Sequence, residues 1–149
     1  MVARRFKTRL VVNSRGFTII ELMVVTAVFA ILTAIAVPQF RALQPKFRLD
    51  GATRQVFSEL MSARAKAVNE NTTYTVTFPN TYTVQIVGSA TRTVNLRTLF
   101  DSDVTVSSSA ATIHLSSRGT SDVGSTITVS NAAGSKTVSL KITGGATIS

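Results

Sequence analysis

The stretch Gly16-Phe17-Thr18-Ile19-Ile20-Glu21-Leu22-Met23-Val24-Val25, which runs on as TAVFAILTAIAVPQF to Phe40, decides how the rest of the chain is read. Between Gly16 and Arg41 the sole charge is Glu21. About 20 apolar residues, rising about 1.5 Å each in a helix, cross a hydrocarbon core of about 30 Å. Residues 17–37 meet that length. Arg4, Arg5, Lys7, Arg9 and Arg15 precede them, and cations beside a span stay on the cytoplasmic side. Everything after Phe40 is then expected beyond the membrane, in the periplasm of a two-membraned bacterium.

Charge follows the same division. The chain of 149 residues carries a net +9, a value that invites a polyanionic ligand. The five cations before Gly16 supply more than half of it. Residues 17–149 hold eleven Lys/Arg against seven Asp/Glu. Membrane topology explains the excess better than nucleic acid does. There is no cysteine and one histidine, which excludes disulfides and a Cys/His zinc site.

A secretory signal is cut after its apolar region and loses it. Here Ala34-Ile35-Ala36 has the small-residue spacing, but a cut there falls just before Pro38. The conspicuous junction is Ser14-Arg15-Gly16-Phe17, ahead of the run. A cut after Gly16 removes the basic leader and keeps the helix, and glycine lets a protease approach the backbone closely. On these residues, GFTIIELMVV after a short basic leader, the chain resembles type IV prepilins and type II secretion pseudopilins. The resemblance implies cleavage after Gly16 by a prepilin peptidase and N-methylation of the new terminus, Phe17. It also implies that Glu21, fifth residue of the mature chain, pairs with the terminal amine of an adjoining subunit. An ionisable group inside a span calls for such a partner. Pro38, near the far end of the span, matches a proline common in pilins and predicts a kink or local melting. Thr26 and Thr33 are expected to bond back to helix carbonyls.

Beyond Phe40 the pattern becomes one-sided. Phe40, Leu43 and Phe47 recur at helical spacing, as do Val56, Leu60, Ala63 and Ala67. This predicts an amphipathic half whose apolar stripe docks on a soluble head, with a bend or break near Pro45 and Asp50-Gly51. Arg41, Lys46, Arg48, Arg54, Arg64 and Lys66 fall largely on the other face, and Glu59 is placed to pair with Arg64 or Lys66.

After Asn69 the period becomes two. Tyr74, Val76 and Phe78, then Tyr82, Val84 and Ile86, read as strands joined by a turn at Pro79-Asn80. Val94 with Leu96, Val104 with Val106, and Ile113 with Leu115 suggest three more. Ile127 with Val129, and Val138 with Leu140 and Ile142, flank a hairpin loop at residues 131–135. Short spacing leaves no room for crossover helices, so the sheet is expected to be antiparallel with one buried face.

The expected class is therefore α+β and pilin-like, a long N-terminal helix packed on an antiparallel β head. The expected parts are a cleaved cytoplasmic leader, 1–16; a transmembrane and filament-core helix, 17–40; an amphipathic helix, 41–70; and a periplasmic head, 71–149. Helix-then-strands order, with Ser117-Arg118-Gly119 before a hairpin and a Thr-Gly end, is similar to the GspH/FimT-like minor pseudopilins and minor pilins. DNA-binding FimT-like pilins carry closely spaced C-terminal arginines. Residues 143–149 have none, and Lys136 and Lys141 are too few for strong phosphate binding. The disulfide loop of many major pilins is also absent.

Other chemistry is thinly represented. Asp101-Ser102-Asp103 offers oxygen ligands for calcium but also reads as a turn. His114 is expected on the outer face of a strand. No catalytic set stands out, so the reading is not an enzyme, with no cofactor, no metal and no small-molecule substrate. Three functions fit: a structural subunit of a secretion pseudopilus, a minor type IV pilin, or, with least support, a DNA receptor. The expected partners are prepilin peptidase, other pilin or pseudopilin subunits, and the inner membrane.

Overall fold

The computed structural model describes residues 16–100 and 103–149. The chain divides into two compact units, Met1–Gln39 and Phe40–Ser149. Helix α1 runs Ile19–Asn69. It is followed by β1 (Tyr74–Asn80), β2 (Thr83–Val87), β3 (Thr91–Asn95), a short α2 (Leu96–Leu99), β4 (Thr105–Ser108), β5 (Thr112–Leu115), β6 (Ser125–Asn131), β7 (Gly134–Leu140) and β8 (Ala146–Ile148). All pairing is antiparallel, in two four-stranded sheets ordered β3-β2-β1-β5 and β4-β6-β7-β8.

In the larger unit, one face of α1 joins the core that both sheets share. Leu49, Ala52, Thr53, Val56, Glu59, Leu60, Ala63 and Ala67 are buried. They meet Val76, Val84, Ile86 and Ile113 of one sheet and Val106, Ile127, Val129 and Val138 of the other. Alanine at 52, 63 and 67 leaves room for close packing of helix on sheet. Thr53 satisfies its buried hydroxyl by donating to the Leu49 carbonyl at 2.7 Å.

Several sequence expectations are corrected. The helix is not broken near residues 45–51. Gly51 lies within the helix and leaves room for the Phe100 ring: a Cβ there would stand 2.7 Å from a ring carbon. Phe40, Leu43 and Phe47 do not dock on the head but are exposed. At about 100° per residue they lie roughly opposite the buried stripe, so equal spacing concealed opposite faces. Pro79-Asn80 belongs to β1, where the register with β2 shifts between Thr77 and Asn80, since proline cannot donate to the ladder. The turn falls at Thr81-Tyr82, with Asn80 Oδ1 accepting from the Tyr82 N–H at 3.1 Å. Leu96 starts α2 instead of extending a strand, because Asn95 caps the N–H groups of Arg97 and Thr98. Ile142 lies past β7 and is 61% exposed, where the chain turns into β8, a strand the periodicity did not suggest.

Glu59 pairs with neither Arg64 nor Lys66. Its Oε1 accepts from Arg92 Nη2 and from Gln55 Nε2, each at 2.8 Å. The signal was present: three residues after Val56 and four before Ala63, Glu59 lies on the apolar face. Arg64 instead donates from Nε to the Gly119 carbonyl at 2.7 Å, and from Nη2 to that of Thr143 at 3.5 Å. The Ser-Arg-Gly and Thr-Gly loops thus meet over one guanidinium. Gly144, at φ +81°, fits because a side chain there would collide with the Gly119 carbonyl.

Arg92→Ala leaves a buried carboxylate with one neutral donor, and is expected to destabilise the head by about 1–3 kcal/mol. Glu59→Gln in that background should recover part of the loss. Urea unfolding of the detergent-solubilised chain measures both.

At the helix exit the Tyr74 hydroxyl contacts Glu70 Oε2 at 2.7 Å and Ser89 Oγ at 2.9 Å. Hydrogen bonding from Ser89, then from Tyr74, holds the Glu70 carboxyl below its usual 4.5. A depressed carboxyl contributes stability above its unfolded value and loses it as pH falls through the folded one. Melting temperature should therefore drop below about pH 4.5, and Tyr74→Phe should make that drop smaller. Thermal melts from pH 7 to 3 test it.

Candidate functional site

The candidate site is the start of α1. Gly16 stands in open space, with nothing within 4 Å of a Cβ built on it, and Phe17 is 78% exposed. The leader residues 1–15 lie outside the described residues. Thr18 caps the helix: its Oγ1 accepts from the Glu21 N–H at 3.2 Å, and its carbonyl accepts from the Leu22 N–H at 3.2 Å. Thr-x-x-Glu is half of a reciprocal capping box. Glu21 lies in the first turn, where a negative charge is favoured by the helix dipole.

The capping bond uses Glu21's backbone and leaves its carboxylate exposed. Among the described residues no side chain pairs with it. Placed in hydrocarbon, such a group is costly without a cation beside it. The surrounding surface suits hydrocarbon: Ile19, Ile20, Leu22, Met23, Phe29, Ile31, Leu32 and Ile35 are all exposed. This stretch is long and apolar enough to cross a membrane. Thr26 and Thr33 bond to the Met23 and Phe29 carbonyls at 2.9 and 2.7 Å, which satisfies their hydroxyls within the helix. At Pro38 the helix continues without a melted turn.

The remaining candidates gather no site. Asp101 and Ser102 lie outside the described residues, and no group of three or more His, Asp or Glu comes together among those described. His114 is exposed on β5, with Nδ1 3.1 Å from Thr75 Oγ1.

An apolar, capped N-terminal helix that continues into a stripe buried by two small antiparallel sheets defines the pilin-like class of filament subunits. Residues 12–37 match the prokaryotic N-terminal methylation motif. Residues 52–145, more than half of the chain, match the type II transport protein GspH model, and the chain belongs to that family. A 56-residue stretch is 41% identical to two fimbrial proteins of Pseudomonas aeruginosa, covering 38% of this chain and 36% of each relative. The chain thus spans about a third of the length of the curated relatives it matches. Two crystal structures of the type IV minor pilin FimU from Pseudomonas aeruginosa share the fold. They give TM-scores of 0.55 and 0.60 at 14% and 15% identity, covering 68% and 70% of this chain and 92% and 90% of theirs.

Gly16→Ala tests the expected cleavage after residue 16, because only glycine lets a protease approach the backbone without a side chain in the way. Co-expression with a prepilin peptidase should give a mature chain beginning at methylated Phe17. The variant should retain the leader in much larger proportion, as read by intact-protein mass.

Proposed function

We propose that this chain is a structural minor pseudopilin of a type II secretion system, not an enzyme. The leader, residues 1–16, is removed by prepilin peptidase and Phe17 is methylated. Residues 17–40 hold the subunit in the inner membrane as a single pass, with the N-terminus cytoplasmic and the head periplasmic. The subunit then enters a short periplasmic filament with other pseudopilins. The observation that carries this reading is the GspH match over most of the head.

Assembly chemistry follows from the helix start. The Glu21 carboxylate meets the cationic amine of an adjoining Phe17, and in a low-dielectric bundle this attraction sets axial register. Pro38 frees the Ala34 carbonyl near the end of the span and gives the helix local freedom during packing.

A second reading, a minor type IV pilin, is favoured by the FimU-like fold and by the local identity to fimbrial proteins. A DNA receptor has less support. Of the cations on the head, Arg92 is bonded to Glu59, Arg64 to backbone carbonyls, and Lys136 to Asp50 at 2.7 Å.

Deleting the gene separates the two readings. A secretion role predicts that exported proteins fall about tenfold or more in the medium while surface pili still extend and retract. Lost pili with intact secretion would favour the second reading. In either background, complementation with Glu21→Ala should fail to restore function although the subunit is made and cleaved.

A further inference from the structure

The exposed stripe on the early part of the head's helix has no role in the fold. Phe40, Leu43 and Phe47 are 67%, 45% and 66% exposed, and they share one face, roughly opposite the stripe buried against the sheets. Arg41 and Lys46 flank this face on its two sides, and both are exposed. No acidic residue lies between Glu21 and Asp50. Two large aromatic side chains in water, bordered by Arg41 and Lys46, with the first acid, Asp50, one turn beyond and bonded to Lys136, form a surface suited to an apolar partner edged with negative charge.

We propose that residues 40–47 lie in the headgroup layer of the membrane, with Phe40, Leu43 and Phe47 among the upper acyl chains and Arg41 and Lys46 on phosphates of anionic phospholipid. The inference rests on the reading of residues 17–40 as a membrane span. Three observations support this occupant. The stripe begins, in sequence, at the residue where the span ends, so it starts at the membrane boundary. Its length is comparable: Phe40 to Phe47 rises about 10 Å along the helix axis, and a tilted helix brings that rise down towards the roughly 5–8 Å of polar layer on each side of the hydrocarbon. Charge is complementary, since cations next to an anionic leaflet are attracted by about 1 kcal/mol each.

The placement of the cations strengthens the case. Lys and Arg close to a span are ordinarily biased to the cytoplasmic side, yet Arg41 and Lys46 stand at the opposite end from the basic leader. An anionic surface at that end offsets the bias. The β6–β7 hairpin adds a support from the same end of the head. Asn131 donates from Nδ2 to the Pro45 carbonyl at 2.7 Å, which ties the hairpin to the docked side of the helix, level with the stripe but on the opposite face. Before assembly, the membrane so bound would hold the head at a fixed height and rotation. On entering the filament the same face would exchange lipid for the helices of neighbouring subunits.

The chain has no cysteine, so single labels can be placed cleanly. Full-length Leu43→Cys, carrying an environment-sensitive fluorophore, is reconstituted at one copy per nanodisc in phosphatidylcholine alone or with phosphatidylglycerol. Expected results are a blue-shifted emission and quenching by lipids spin-labelled near the headgroup. Spin-labelled phosphatidylglycerol should be preferred over phosphatidylcholine by about fivefold or more, and Arg41→Gln with Lys46→Gln should abolish that preference. A Val28→Cys label reports the span separately. If position 28 reads lipid while position 43 reads water, or if the two lipids compete equally, the inference is wrong and the span stands. If position 28 reads water, both fail. Shielding of position 43 only when two copies share a disc would reassign the stripe to subunit contact.

Discussion

Burial of one face of α1 against two small sheets is the constraint on which the rest of the molecule depends. Each four-stranded sheet has a single apolar face and must cover it to be stable. The stripe of Leu49, Ala52, Val56, Leu60, Ala63 and Ala67 supplies a common cover. The face of a helix that docks also determines the face that cannot. Once this stripe is committed, Phe40, Leu43 and Phe47 are turned outward.

Polar contacts follow from the same docking. Glu59 is carried into the interface by its position on the buried face, and it holds there because Gln55 and Arg92 both donate to one oxygen. A carboxylate buried without such donors would destabilise the head by more than the pair contributes. Arg64 closes the far end by gathering two loop carbonyls that have no strand partner. Arg97 lies over the Tyr82 ring, 4.6 Å from its centre. Much of the head's positive charge is therefore engaged in its own structure. Lys136–Asp50 is half-exposed and contributes less than about 1 kcal/mol.

The site at the helix start depends on none of this. Thr18 caps Glu21's backbone within three residues, and the apolar surface around it is unbroken. Such local independence suits the proposed passage of this segment from a bilayer into a helical bundle. Its features lie in one contiguous stretch, which is why the methylation motif over residues 12–37 was legible before any coordinates. The roles proposed for Gly16, Phe17 and Glu21 rest on chemistry between molecules, which the fold of one chain does not contain.

Periodicity alone determined a long helix followed by short antiparallel strands, because hydrophobic spacing of 3.6 and then 2 reports the local geometry in which each side chain must be buried. The N-terminal junction was equally local. Only the tertiary structure decided which helical face docks, that the strands separate into two sheets, and that β8 forms after Gly144 and Gly145. It also assigned Glu59 to Arg92, 33 residues away in sequence, and Arg64 to Gly119 and Thr143. These outcomes turn on contacts between distant segments. Spacing says that a residue recurs on a face; the bulk and polarity of what meets that face decide whether it is buried.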